Sequence, residues 1–360
     1  MSKILWYGDA CSNTGFARVT HSILEHLKKD HEIVVYGINY SGDPHDYPFK
    51  IYPASATNPG DKFGIGRIQQ IVERERPDFF ICLNDIWIVN QVWERVHLLK
   101  SQFNFKFIAY FPTDSEWYPL PMLRFVEDWD FAITFTPEQA QRLMAHGIKP
   151  KKLGIIPHGL DQGKFYVVDR DEARKRLGLP LDKFIVFNGN RNQPRKLIDQ
   201  TIKAFAEFAK DKDDVILYLN MGEKDLGWSV KELFETEMRR RGADPSAKLA
   251  ITPNINYMAA PPDEQLNLIY NAVDVGINTA NGEGWGLVPF EHAMCKKPHK
   301  DLGVERGIVN YKHASELLQN LYESDEYREK VGEDCFEVTQ NPAYRWDKIA
   351  EGFTKAMEII

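Results

Sequence analysis

The sequence predicts two doubly wound α/β units, each a parallel sheet wrapped by helices, joined by a hinge. Three observations predict it. The 360 residues exceed one typical domain core and suit two. Short apolar runs alternate with longer amphipathic stretches in both halves, the pattern of parallel βα units. A Pro- and Gly-rich stretch from Pro157 to Phe165 stands between a strand and the next helix near the middle of the chain, where a domain join belongs.

In the first half the strand candidates are Ile4–Tyr7, Glu32–Gly37, Phe79–Leu83, Lys106–Phe111, Phe131–Phe135 and Leu153–Ile156. Phe16–Lys28 carries Val19, Ile23, Leu24 and Leu27 at the spacing of one helical face. Thr136-Pro137-Glu138 opens another helix, with Thr at the cap and Pro in the first turn; it ends near His146-Gly147. The second half repeats the scheme. Strands are expected at Phe184–Phe187, Val215–Leu219, Leu249–Thr252 and Val273–Asn278, and helices at Pro194–Phe208, Ser229–Arg240, Pro262–Asn271, from near Val288, and at Ala314–Leu321. The expected division is an N-terminal unit over 1–160, a second over 161–335, and a terminal helical segment over 336–360. Ligands of such folds bind at the carboxyl ends of the strands, so two such units place a cleft there.

Composition narrows the classes. Hydrophobic residues make up 43% and charged residues 27%, ordinary for a globular protein. A net charge of -7 argues against nonspecific attraction to nucleic acid or anionic membrane. Cys11, Cys82, Cys295 and Cys335 are far apart with no CxxC pair, and the histidines show no metal-ligand spacing. Free thiols in a reducing compartment are expected. No signal-peptide pattern opens the chain and no apolar window approaches 18 residues, so a cytoplasmic protein without an integral membrane segment is the expectation.

The segment with most chemistry runs from Val273 to Met294. A buried strand leads into a turn with Gly282, Gly284 and Gly286, and then a helix begins. The glycines let backbone approach a ligand, and the helix start offers N–H groups to a phosphate. Glu283 and Glu291 are poor phosphate ligands but good acceptors for sugar hydroxyls. A plain strand-to-helix turn with two solvated glutamates is the competing account. Arg191, Arg195 and Lys196 follow another strand and can clamp a diphosphate; alone such a basic stretch is more often a solvated helix start.

Glu283-Gly-Trp-Gly-Leu-Val-Pro-Phe-Glu291 resembles the E-x7-E motif of retaining glycosyltransferases with the GT-B fold, specifically the large family 4. Compact members occur in phages and large DNA viruses. The resemblance extends over nearly the whole chain. It implies that Glu291 holds the ribose hydroxyls of a nucleoside diphosphate, that Glu283 contacts the donor sugar, and that backbone N–H groups around Gly286, Leu287 and Val288 meet the diphosphate. Arg191 and Lys196 match the family's Arg and Lys five positions apart, although Leu197 stands where relatives carry Gly. Gly15 and Arg18, after the first strand, correspond to a loop facing the donor phosphates and the acceptor. Main-chain groups at Asn254-Ile255 correspond to a nucleobase grip. Relatives carry a His near Asp114; here Asp114 either accepts a hydrogen bond from sugar or acceptor or caps the next turn. His158, in a Pro-x-Gly-x-Asp hinge, reads as a packing residue rather than a base. After Pro298 relatives continue with two further strands, where this chain has the short stretch His299–Lys312.

The implied reaction moves a sugar from a UDP- or GDP-linked donor to an acceptor hydroxyl with retention. It needs no metal or cofactor, because the cations stabilise the leaving diphosphate. The alternatives are a nucleotide-sugar binding protein without transferase activity and another GT-B enzyme such as an epimerase. The acceptor stays open among glycan, lipid, protein and modified DNA base, so nucleic acid enters only as an acceptor.

Overall fold

The computed structural model describes residues 1–56, 58, 60–115, 117–255, 259–301 and 309–360. They divide into two units, Met1–Gly159 with Pro342–Ile360, and Leu160–Asn341. The first unit runs β1 (Lys3–Asp9), α1 (Gly15–Leu27), β2 (Glu32–Ile38), β3 (Lys50–Pro53), α2 (Ile68–Glu75), β4 (Phe79–Leu83), α3 (Ile86–Val96), α4 (Lys100–Phe103), β5 (Lys106–Tyr110), α5 (Leu120–Leu123), β6 (Phe131–Thr134), α6 (Pro137–Ala145) and β7 (Leu153–Ile155). Its parallel strands lie in the order β3-β2-β1-β4-β5-β6-β7. Such strands read as continuous apolar runs because helices cover both faces; β1, β4 and β5 are buried almost end to end. The Thr14 hydroxyl caps α1 by accepting from the Ala17 N–H at 3.1 Å, and the predicted face of Val19, Ile23, Leu24 and Leu27 is buried. Strand order reverses between β1 and β4, the point where ligands bind in doubly wound sheets.

The second unit runs α7 (Arg170–Leu177), β8 (Phe184–Asn188), α8 (Ile198–Phe208), β9 (Val215–Leu219), α9 (Val230–Arg240), β10 (Leu249–Ile251), α10 (Asp263–Ala272), β11 (Val275–Asn278), α11 (Leu287–Ala293), β12 (His299–Asp301), α12 (Tyr311–Glu323) and α13 (Asp325–Thr339). Its parallel sheet has the order β10-β9-β8-β11-β12, reversing between β8 and β11. Side chains alternate across β8: Phe184 and Val186 join the core with α8 and α12, Ile185 and Phe187 the core with α10. Beneath it Arg174, fully buried, donates to Asp274 at 2.6 Å, to Ala272 O at 2.7 Å and to Lys183 O at 2.8 Å. Asp274 also accepts from the Ile185 N–H at 2.7 Å, so one ion pair ties α7 to two strands.

The last helix, α14 (Trp346–Ile359), belongs to the first unit. Phe353 meets Trp6 at 5.6 Å and Tyr110 at 5.0 Å. The terminal segment therefore joins the first unit from Pro342 rather than from 336, because α13 runs unbroken through 335 and 336 in the second. Three other details depart from the sequence reading. β3 is an additional edge strand. The helix expected over Pro194–Phe208 is interrupted: a 3₁₀ turn covers Pro194–Lys196, Leu197 takes φ +47°, and α8 follows. After Pro298 the chain supplies β12 beside β11, while 302–308 lie outside the described residues.

Candidate functional site

At the carboxyl edge of the second sheet, where β8 and β11 diverge, a set of buried polar side chains fixes two loops against each other. Asn188 donates to the Thr201 hydroxyl at 2.8 Å and accepts from the Asn190 N–H at 2.9 Å. Asn190 donates across to Asn278 at 2.9 Å, and Asn278 accepts from the Ala280 N–H at 3.0 Å. The Thr279 hydroxyl donates to Leu197 O at 2.9 Å. Buried polar groups of this kind specify one arrangement because leaving any of them unmade is costly.

The arrangement brings Lys196 and Glu283 together as an ion pair. Arg195 donates to Gly282 O at 2.7 Å, with its guanidinium 3.5 Å from the Glu283 carboxylate. Glu291, one face of α11, is buried and accepts from the Tyr270 hydroxyl at 2.9 Å. Gly286 adopts φ +86° immediately before α11, a left-handed conformation that favours glycine. A Cβ at Gly189 would sit 2.6 Å from the buried Phe187 ring and 3.0 Å from Val288 Cγ1. That close approach sets the Gly286, Leu287 and Val288 backbone beside the end of β8.

Arg191 and Lys196 share a loop but turn to opposite sides of β8. Arg191 forms a two-pronged pair with Asp225, at 2.7 and 3.1 Å, in the loop after β9. The Arg191 hydrogen bond holds the Asp225 carboxyl below the usual carboxylate range. Leu197 keeps the left-handed backbone that glycine adopts most readily. Asn254 is exposed at φ +61° in the loop after β10, the sheet's outer strand. Its neighbour Ile255 presents O to Gly222, where a Cβ would have 3.0 Å of room; the adjoining 256–258 lie outside the described residues. Sequence reasoning missed Tyr270, Asp225 and the Asn190–Asn278 bridge. The signal for the last was in view, since Asn278 is polar at the end of an otherwise apolar strand.

In the first unit, Gly15 is the exposed first residue of α1 and Arg18 lies in its first turn. Beside them Asp9 accepts from the Thr14 hydroxyl at 2.6 Å and from Asn39 at 3.1 Å. Burial raises the Asp9 carboxyl, and those two bonds oppose the rise. Asp114 accepts from the Tyr118 hydroxyl at 2.9 Å, and that oxygen accepts from the Ser115 N–H at 3.1 Å. His158 is buried, 4.2 Å from the Phe135 ring, and burial pushes it down to about 3. It is therefore neutral at ordinary pH. Burial pushes the Cys11 thiol up to about 11 and the Cys295 thiol up to about 12, so both stay protonated rather than nucleophilic. Among the described residues no group of three His, Cys, Asp or Glu is arranged to hold a metal ion, and no helix is long and apolar enough to cross a membrane.

Residues 169–299 match the family described as glycosyl transferases group 1. D-inositol 3-phosphate glycosyltransferase of Segniliparus rotundus is 31% identical over 150 residues, covering 41% of this chain and 31% of that protein. The enzyme of the same name from Mycobacterium leprae strain Br4923 is 30% identical over 176 residues, covering 48% and 38%. The chain thus matches about a third of the length of these curated relatives. Among solved structures, HepE of Anabaena in complex with UDP-glucose superposes with a TM-score of 0.75 at 14% identity, covering all of both chains. Sucrose-phosphate synthase from Thermosynechococcus elongatus gives 0.74 at 16% identity, covering 100% of this chain and 99% of that one. The chain has the GT-B fold, and residues 169–299 of its second unit are similar to the glycosyl transferases group 1 family.

Proposed function

We propose that this chain is a retaining glycosyltransferase that moves a sugar from a nucleoside diphosphate to an acceptor hydroxyl. One observation carries the reading. Lys196 pairs with Glu283 at the switch point of the second sheet, in the turn that leads through Gly286 into α11 and its Tyr270-bonded Glu291, within the segment that matches group 1 glycosyl transferases. Glu291 takes the ribose hydroxyls, with Tyr270 fixing its carboxylate. Glu283 takes hydroxyls of the donor sugar, with Lys196 and Arg195 setting its position. The Gly286, Leu287 and Val288 N–H groups, Lys196 and Arg191 meet the diphosphate.

The bond from the anomeric carbon to the diphosphate oxygen breaks, and the acceptor oxygen bonds to the same carbon face. The leaving phosphate oxygen takes the acceptor proton. Charge grows on the diphosphate as the bond breaks, and each charged contact there contributes on the order of 2–4 kcal/mol to the transition state. A metal is not called for, because the cations supply that stabilisation. In the first unit, Gly15, Arg18 and Asp114 stand at the acceptor side. The UDP-glucose held by HepE makes a UDP-linked hexose the first donor to test.

Thermal stabilisation by UDP, GDP and their hexose conjugates reads donor binding by mass action. UDP or GDP, with its sugar conjugate, should raise the melting temperature, and Glu291→Ala should abolish the rise. Nucleoside diphosphate should be released faster with acceptor than without. No shift from any nucleotide defeats the proposal, and binding without acceptor-dependent release points to a nucleotide-sugar binding protein instead.

A further inference from the structure

We infer that Thr279 is a positioning residue for donor binding: its hydroxyl holds Leu197 in a left-handed conformation and so sets where Lys196 stands. The inference rests on the transferase reading and adds a residue that acts on the donor only through another. Leu197 takes φ +47°, a region where a leucine Cβ crowds the backbone and which glycine enters freely. A residue kept there persists only when its surroundings fix it, and such residues gather at functional sites. The position matters because Leu197 separates the 3₁₀ turn Pro194–Lys196 from α8. With a right-handed Leu197 that turn would run straight into α8, as the apolar spacing alone predicts. Lys196 would then leave the chain on another heading and lose its contact with Glu283.

The hold on this segment is specific. The chain leaving β11 bonds to three consecutive carbonyls. The Asn281 N–H donates to Arg195 O at 2.8 Å, and the Thr279 hydroxyl lies 3.1 Å from Lys196 O and 2.9 Å from Leu197 O. A carbonyl can only accept, so Thr279 directs its one proton there and accepts from the Thr201 hydroxyl at 2.8 Å. Thr201 in turn accepts from the Asn188 amide at 2.8 Å. Donor and acceptor roles are thereby fixed from the end of β8, through α8, to Leu197. Asn188, Thr201 and Thr279 are all fully buried, so bulk solvent does not make good a lost link. Thr279 also opens the turn that carries Glu283. One hydroxyl therefore ties the segment bearing the cation to the segment bearing its carboxylate partner.

Titration calorimetry on the full chain, with UDP or with GDP where that is the nucleotide bound, tests this in two backgrounds. In the natural sequence Thr279→Val keeps the shape, removes the hydroxyl and should weaken nucleotide binding about tenfold. Thr279→Ser restores the hydroxyl and should stay within about twofold. Leu197→Gly adopts the left-handed backbone unaided, so Thr279→Val added to it should weaken binding less than about threefold. A hydroxyl that serves stability alone gives another pattern: a lower melting temperature with the Kd unchanged, or the same loss in both backgrounds. Either result overturns the inference, as does a tenfold loss in Thr279→Ser. Should Thr279→Val not fold, Thr201→Val removes the hydroxyl that aims Thr279. It should weaken binding about threefold in the natural sequence and not at all with Leu197→Gly, and equal losses overturn the inference again. Binding of neither nucleotide by the natural protein sinks the donor reading and this inference with it. Binding by the natural protein with equal losses in both backgrounds sinks the inference alone.

Discussion

The Arg191–Asp225 pair gives a prediction whose sign follows from geometry. In the free protein the Arg191 guanidinium is occupied by the Asp225 carboxylate through two bonds of 2.7 and 3.1 Å. A diphosphate recruiting Arg191 must displace or share that carboxylate. Arg191 is 40% and Asp225 15% exposed, so the pair is solvent-screened and worth at most about 1 kcal/mol. Asp225→Asn removes the competing charge and should tighten UDP binding by up to about fivefold, the factor that about 1 kcal/mol gives. Losing a carboxylate beside a polyanion acts in the same direction. Arg191→Ala should weaken binding by about 10–100-fold, the loss of a charge-assisted bond of about 1.5–3 kcal/mol. In the Arg191→Ala background Asp225→Asn should then yield no gain. Titration calorimetry with UDP at fixed ionic strength measures all four proteins, and the gain should shrink as salt rises. Because Arg191 holds Asp225 below the usual carboxylate range, the gain should persist at pH 5. Weaker binding in Asp225→Asn, or an equal gain without Arg191, would refute the competition.

Three further outcomes are expected. His158 is held neutral by burial, down to about 3 from an ordinary 6.5. The unfolded chain takes up the proton first, so stability is full above pH 6.5 and falls by about 1.4 kcal/mol per unit below it. Urea unfolding at pH 7 and 5 should differ by about 2 kcal/mol more in the natural protein than in His158→Gln. Gly189→Ala should cost about 1–3 kcal/mol, because the buried Phe187 ring cannot yield to a Cβ at 2.6 Å. It should also weaken UDP binding by displacing Val288, read by calorimetry. Arg174→Met leaves the buried Asp274 with Arg170, at 3.1 Å, as its remaining ionic partner, and should cost about 1–3 kcal/mol in the unfolding of the second unit.

The βα alternation was legible because parallel strands under two helical layers must be apolar throughout, as Phe184–Asn188 and Val215–Leu219 are. The helix start marked by Thr136 was legible because a side-chain oxygen there satisfies an N–H that the helix leaves over. The break at Leu197 was not, since a leucine gives no local sign of a left-handed backbone; the Thr279 bond to Leu197 O accompanies it. Glu283 and Lys196 were legible as residue types, and the structure brings them into contact. Their tie to Asn190, Asn278 and Thr279 joins residues some 80 positions apart, as the Asn190–Asn278 separation of 88 illustrates. A spacing pattern carries no such information. The same holds for Tyr270 on Glu291 and Asp225 on Arg191, where the partner comes from a different βα unit.

Membership of α14 in the first unit has a consequence for synthesis. A growing chain emits β1 to β7 first, yet the surface on Trp6 and Tyr110 that Phe353 covers stays open until Trp346–Ile359 emerge. The second unit, continuous from Leu160 to Asn341, has all its strands available earlier. Domains fold as units while the ribosome is still adding residues, so the order of completion is the reverse of the order of appearance. Premature termination before Trp346 would release a chain with a finished second unit and an apolar scar on the first.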